Sequence, residues 1–252
     1  MQISGALWRA VAAFGCAACV CAQQPDDAGS PPVSRFHVEF LRNFGNLFRK
    51  DNLEPLLLGA AGSLAVVAPE DRVAGFFLRT HRMHEFGDTG EALGGPAVAG
   101  GAAGALFVAG RMSRNERFRV LTYSLAQATA MSAALAGGVK ACVPRERPSG
   151  EDQRSFYSGH TANAFAWATV LSRHHGLRVA VPSYAVAVLI GVSRLEKNKH
   201  YLTDVTAGAT TGYIIGRSVG RTGAAGKPRR FGWGFTRLPG GVGISVQFRL
   251  NH

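Results

Sequence analysis

The sequence predicts an all-α fold, an antiparallel bundle of about six helices with a short C-terminal β-hairpin. Three observations carry that prediction. Six apolar stretches rich in Ala and Gly recur along the chain, at about 53–68, 92–110, 118–143, 161–172, 179–193 and 203–219. Several of the links between them are short, which favours antiparallel neighbours. Hydrophobic residues make up 46% of the 252 and charged ones only 17%, a balance that suits closely packed helices.

Taken in order, the first 22 residues read as a secretory leader. Arg9 gives a positive start, Ala10 to Val20 is apolar, and Val20-Cys21-Ala22 ends on a small residue before Gln23. Three of the four cysteines fall there, so a processed chain keeps Cys142 alone, expected as a small buried hydrophobe without a disulfide. Residues 23–52 form a lead-in and an amphipathic helix, in which Phe36, Phe40, Phe44 and Phe48 share a stripe. The bundle occupies 53–220, with the longer Asp71–Glu91 and Pro144–Tyr157 links forming the lip of any pocket. Residues 221–252 are a basic linker and then the hairpin: aromatic Phe231 to Arg237, a Leu-Pro-Gly-Gly turn, and alternation from Val242 to Leu250.

Membrane topology is open to two readings. The basic links Arg111–Arg117 and Arg173–Arg178 lie at one end of the helices and the polar motifs at the other, as in an integral inner-membrane protein with its site outward. Against this, stretches 161–172 and 179–193 fall short of the roughly 20 residues that a span needs. Mean hydropathy is only +0.05. The expectation is therefore a soluble bundle exported to the periplasm or cell envelope, with the integral membrane protein as the alternative.

The formal charge is +12, falling to +11 without Arg9. No nucleic-acid motif accompanies it, so the expected partners are phosphorylated small molecules, lipid phosphates or an anionic membrane surface, and not nucleic acid.

Three polar motifs carry the chemistry. Lys140 is followed after six residues by Arg147-Pro148, a point charge and a planar fork for phosphate oxygens. Ser158-Gly159-His160 opens the next apolar run: Ser caps the helix, Gly and the free amides approach an anion closely, and His160 stands ready to protonate a leaving oxygen. Ser193-Arg194 precedes His200 and Asp204, which share a helical face four apart. A carboxylate on one imidazole nitrogen leaves the other free to attack. His and Asp at this spacing also bind metals, but the surrounding motifs supply cations, which repel one. His81 and His84 read as surface residues.

The order and internal spacing of these motifs over residues 118–219 resemble the superfamily of type 2 phosphatidic acid phosphatases, bacterial class A acid phosphatases and vanadium haloperoxidases. Gly208-Ala-Thr-Thr-Gly212 is similar to a small-residue run that often follows in that family. Tyr157 departs from the usual proline before Ser-Gly-His, and the charged Leu195–Lys199 region departs from many lipid-facing members.

The resemblance implies a helical phosphatase without a metal or other cofactor. His200 would be the nucleophile, Asp204 its orienter and His160 the general acid. Lys140, Arg147, Arg194, Ser158 and the Gly159 amide would bind phosphate. The expected reaction is hydrolysis of phosphomonoesters or lipid (pyro)phosphates through a phosphohistidine. The alternatives are a haloperoxidase, with vanadate as cofactor, and a non-catalytic anion- or lipid-binding envelope protein.

Overall fold

The computed structural model describes residues 33–80, 84–219, 231–238 and 241–248, with side chains from 33 to 79 and from 87 to 219. The leader, three of the cysteines, most of the lead-in and the basic linker lie outside the described residues, as does His81.

Nine α-helices are described rather than about six: α1 (Phe36–Asn46), α2 (Leu53–Ala65), α3 (Val67–Thr80), α4 (His84–Gly94), α5 (Pro96–Met112), α6 (Glu116–Cys142), α7 (Gly159–His175), α8 (Leu177–Glu196) and α9 (Leu202–Val219). One of the nine, α1, is the expected lead-in helix; the other two additions come from Asp71–Glu91, expected as a link and found to be the end of α3 and most of α4. Proline explains the breaks. Its ring collides with the carbonyl four residues back but is tolerated in a first turn. Pro69 therefore separates α2 from α3, with a 61° bend, and Pro96 separates α4 from α5, with a 44° bend.

The inner core joins α6, α7 and α9 through Leu121, Leu125, Ala128, Met131, Ala166, Val170, Ile215 and Val219. α1 covers one side of it with Phe40 and Phe44. The Phe36 ring meets Tyr123 edge-on with centroids 5.5 Å apart. The phenylalanine stripe thus packs into the protein, except for exposed Phe48.

α9 runs along α7 closely enough to exclude side chains. A Cβ on Gly208 would lie 2.6 Å from the Ser158 carbonyl oxygen, and one on Gly216 2.6 Å from that of Ala166. At Gly212 it would collide with the carbonyl of Ala162. Small residues four apart allow such backbone approach. Because the obstacle is main chain, it cannot rotate away. Gly212→Val is expected to destabilise the protein by about 3 kcal/mol or more, read as a lowered thermal midpoint.

α7 and α8 contain 17 and 20 residues, both longer than their apolar runs suggested. Ser158 caps the start of α7 and Gly176 (φ 75°) ends it, so motif and capping residues extend the helix past its hydrophobic stretch. The length objection to a membrane span is thereby removed for α8. Among the described residues α8 alone is long and apolar enough to cross a membrane, and there are up to three spans if the bent pairs α2–α3 and α4–α5 each count as one. Large apolar side chains face outward on α2 (Leu53, Leu56, Leu57, Leu64) and α8 (Val181, Val186, Val188, Leu189).

Cys142, expected to be buried, is exposed, because it closes α6 where the chain turns into the following loop. At the C-terminus β1 (Phe231–Leu238) pairs antiparallel with β2 (Gly241–Phe248), with Phe231 opposite Phe248 and Trp233 opposite Val246.

Candidate active site

Antiparallel packing brings four helix ends together. Lys140 lies in the last turn of α6 and Arg194 in the last turn of α8. Ser158, Gly159 and His160 open α7, and Asp204 lies in the first turn of α9. The loop 143–158 and the turn 197–201 close the rim, supplying Arg147 and His200. All eight expected residues therefore share one end of the bundle. The charges of Lys140, Arg147 and Arg194 and the ring of His200 all bear on His160.

The loop is held by its own backbone. The Arg145 N–H donates to Gln153 O (3.0 Å), Arg147 N–H to Asp152 O (3.1 Å) and Ser155 N–H to Arg145 O (3.0 Å). Ser149 N–H donates to Asn198 O (3.0 Å) and Ser158 N–H to Asp204 O (3.1 Å), which tie the loop to the His200 turn and to α9. Asn198 takes φ 53°, a left-handed conformation that Asn adopts more readily than most residues. Two exposed ion pairs, Lys197 with Asp88 and Lys199 with Glu151, link this turn to α4 and to the loop.

His200 is 3% exposed. Its Nδ1 lies 2.6 Å from the Ser155 carbonyl oxygen. A carbonyl only accepts, so Nδ1 carries the proton and the Nε2 lone pair is left free. The orienting contact is thus a backbone carbonyl rather than Asp204, whose Oδ2 is 3.9 Å from Nδ1, too far for a hydrogen bond. Asp204 is itself fully buried and receives three hydrogen-bond donors: Arg145 Nη1 (2.6 Å), Ser155 Oγ (2.5 Å) and the Tyr201 N–H (2.8 Å). Its charge therefore sits beside His200 as a fixed counter-ion. Burial pushes the His200 imidazole below the ordinary histidine range; Lys140 and Arg194 add to this and Asp204 opposes it. A neutral ring with a free Nε2 is a nucleophile.

Arg194 is 2% exposed, and its Nε and Nη1 have no hydrogen-bond partner among the described residues. Glu91 of α4 comes only to 3.6 Å from Nη2. A buried guanidinium with unused donors is costly unless an anion arrives to meet them. Arg147 is partly satisfied, its Nε donating to Asp152 Oδ1 at 2.7 Å. Ser158 is fully buried, with its hydroxyl 2.8 Å from Thr161 Oγ1 and accepting the Thr161 N–H at 3.4 Å, so its capping role occupies it in this state. His160 is half-buried at the edge of an apolar cavity of about 330 Å³ between α5, α7 and α8, lined by Val98, Ala102, Trp167, Leu171, Val186 and others.

Sequence reasoning missed Arg145, Ser155, Glu70 and Glu91. Arg145 was hidden within a basic loop, two residues before the motif arginine. Ser155 acts through both its carbonyl and its hydroxyl, and a backbone role leaves no mark on residue type. Glu91 closed a segment read as a link, and Glu70 stood just ahead of it.

Residues 121–222 match the family model described as the PAP2 superfamily. A lipid A 1-phosphatase of Porphyromonas gingivalis is 40% identical over 94 residues, covering 34% of this chain and 21% of that protein. The chain thus matches about a fifth of that curated relative's length. A solved structure described as a transmembrane PAP2 type phosphatidylglycerolphosphate phosphatase from Bacillus subtilis aligns with a TM-score of 0.56 at 20% identity, over 67% of this chain and 93% of that one. This is a likeness of fold. The stretch 121–222, which carries Lys140, Arg147, Ser158, Gly159, His160, Arg194, His200 and Asp204, is thus similar to the PAP2 superfamily.

Proposed function

We propose that this protein is a phosphatase of the cell envelope that hydrolyses lipid phosphates or phosphomonoesters through a phosphohistidine on His200, without a metal. The observation that carries this reading is a neutral, buried His200, its Nε2 unengaged, facing a cluster in which Arg194 holds unused donors. Three cations form a donor set for an oxyanion rather than for a metal ion. Arg147, Lys140 and Arg194 hold the phosphoryl oxygens, helped by the Gly159 amide and by the Ser158 hydroxyl once it turns from its cap. The Nε2 lone pair attacks phosphorus, and the bond from phosphorus to the ester oxygen breaks. Burial and the surrounding cations disfavour a proton on His160; once the bound phosphate dianion offsets those charges, His160 takes one up from water and gives it to that oxygen. Water then attacks the phosphorus with His160 as base, the P–N bond breaks, and free phosphate leaves with His200 restored.

Lipid substrates and residence in the membrane are supported by the outward apolar faces of α2 and α8 and the 20-residue length of α8. The two similar proteins are a lipid A 1-phosphatase and a transmembrane phosphatidylglycerolphosphate phosphatase, which supports the same reading. On this reading the integral membrane protein displaces the soluble exported bundle, with α4 and the loop 143–158 at the outer surface. The leader (1–22), lead-in helix (23–52), phosphatase bundle (53–220) and tail (221–252) remain the proposed division of the chain.

Full-length protein in membranes should release phosphate from phosphatidic acid, undecaprenyl pyrophosphate or p-nitrophenyl phosphate with excess chelator present. With ³²P-labelled substrate and an alkaline quench, label should appear on His200. Turnover that requires an added metal and leaves no label on the protein would overturn the mechanism.

A further inference from the structure

Arg145 is cationic and close to the site, yet it is not available to substrate. Its Nη1 donates to Asp204 Oδ1 (2.6 Å) and to Thr203 Oγ1 (2.7 Å), and its Nη2 to Glu70 Oε1 (2.8 Å). The Thr203 hydroxyl donates on to Glu70 Oε2 at 2.5 Å, and the guanidinium carbon lies 4.4 Å from the centre of the Tyr201 ring. Glu70 comes from the first turn of α3, just past the bend that Pro69 imposes. Burial works against the charge on Arg145, but Asp204 and Glu70 raise its pKa above the usual arginine value.

Resting on the phosphatase reading, we propose that Glu70 and Arg145 are positioning residues, a clamp from α3 that fixes the Asp204 carboxylate beside His200 without letting it bind the ring. The spacing shows why such a clamp matters. Asp204 Oδ2 is 3.9 Å from His200 Nδ1, within a small side-chain rotation of taking its proton. If it did, the ring would leave the Ser155 carbonyl and Nε2 would swing off line. Arg145 holds Oδ1, while Ser155 and the Tyr201 amide hold Oδ2, so that rotation is blocked. The carboxylate remains as a counter-charge for the cationic ring that exists once Nε2 carries the phosphoryl group. Glu70 in turn keeps Arg145 from turning toward substrate phosphate, leaving that task to Arg194 and Arg147.

The test uses full-length protein and p-nitrophenyl phosphate, with thermal midpoints of each variant measured alongside. Arg145→Ala should lower kcat about 10²-fold, as expected for a misplaced reacting group, with KM changed less than about threefold. Ethylguanidinium at non-denaturing concentration should restore part of its turnover and none to Arg147→Ala. Glu70→Gln, which keeps the shape, should lower kcat about tenfold at unchanged KM. Should Arg145→Ala fail to fold, Arg145→Lys and Glu70→Gln carry the same kcat-against-KM comparison. A rise in KM at constant kcat would overturn the clamp by making Arg145 a substrate ligand, and unchanged kcat in these variants would overturn it outright. Wild-type protein with no phosphatase activity would instead defeat the functional reading and take the clamp with it.

Discussion

His200→Ala should abolish phosphate release, lowering kcat by about 10⁴-fold or more, because on the proposed mechanism the variant removes the atom that forms the covalent bond. Binding should survive. The three cations and the α7 amides are untouched, so orthovanadate should still protect the variant against thermal unfolding. This pairing of lost turnover and kept affinity separates an enzyme from an anion-binding protein, in which His200→Ala would change little. Asp204→Asn should be less severe, since the Ser155 carbonyl and not Asp204 holds the His200 proton at 2.6 Å. Equal losses in the two variants would show that the carboxylate sets the ring after all. The comparison is read from kcat at saturating p-nitrophenyl phosphate.

Arg194→Met should lower kcat/KM by about 10³-fold and yet raise stability. The loss follows from removing a charge-assisted, two-pronged contact to phosphoryl oxygens in a site shielded from water. The gain follows from the donors that now go unmet: Arg194 is 2% exposed, with Nε and Nη1 lacking a partner among the described residues. Replacing a poorly paired buried charge by an apolar chain of similar length should stabilise the ligand-free protein by about 1–3 kcal/mol. Inorganic phosphate should stabilise the wild type in proportion to its occupancy, and should do little for the variant. Thermal unfolding with and without phosphate tests both halves. A variant that melts lower than the wild type in phosphate-free buffer would show that the guanidinium is already satisfied.

The residues proposed to meet the reacting groups could be picked out together because the chemistry expected of them is written in residue type and spacing. Lys140 with Arg147, Ser158 through His160, and Arg194 with His200 and Asp204 lie at ends of consecutive antiparallel helices, so local patterns sufficed to bring them together. The helices built on the six apolar stretches were legible from local pattern too. What supports the site was not. Glu70 and Thr203 are 133 residues apart and meet only because Pro69 bends the chain between α2 and α3. α4 was unreadable as a helix because its Gly87, Gly90 and Gly94 look like loop residues. In the structure Gly90 lies so close to Ser193 on α8 that no Cβ would fit. The partner of His200 was misjudged for a related reason. A carboxylate four residues away is visible in a sequence, whereas the backbone carbonyl of Ser155, 45 residues away, is not.

The glycine contact between α7 and α9 also governs where this protein can change. Both histidines are measured off from that contact: His160 opens one helix of the pair and His200 stands just ahead of the other. Main chain touching main chain leaves no side chain to repack, so the separation between the groups proposed to attack and to protonate is a fixed dimension of the scaffold. Variation in what the protein accepts must then enter through α4, the loop 143–158 and the cavity beside His160, which can be rebuilt while the distance between the two histidines stays the same.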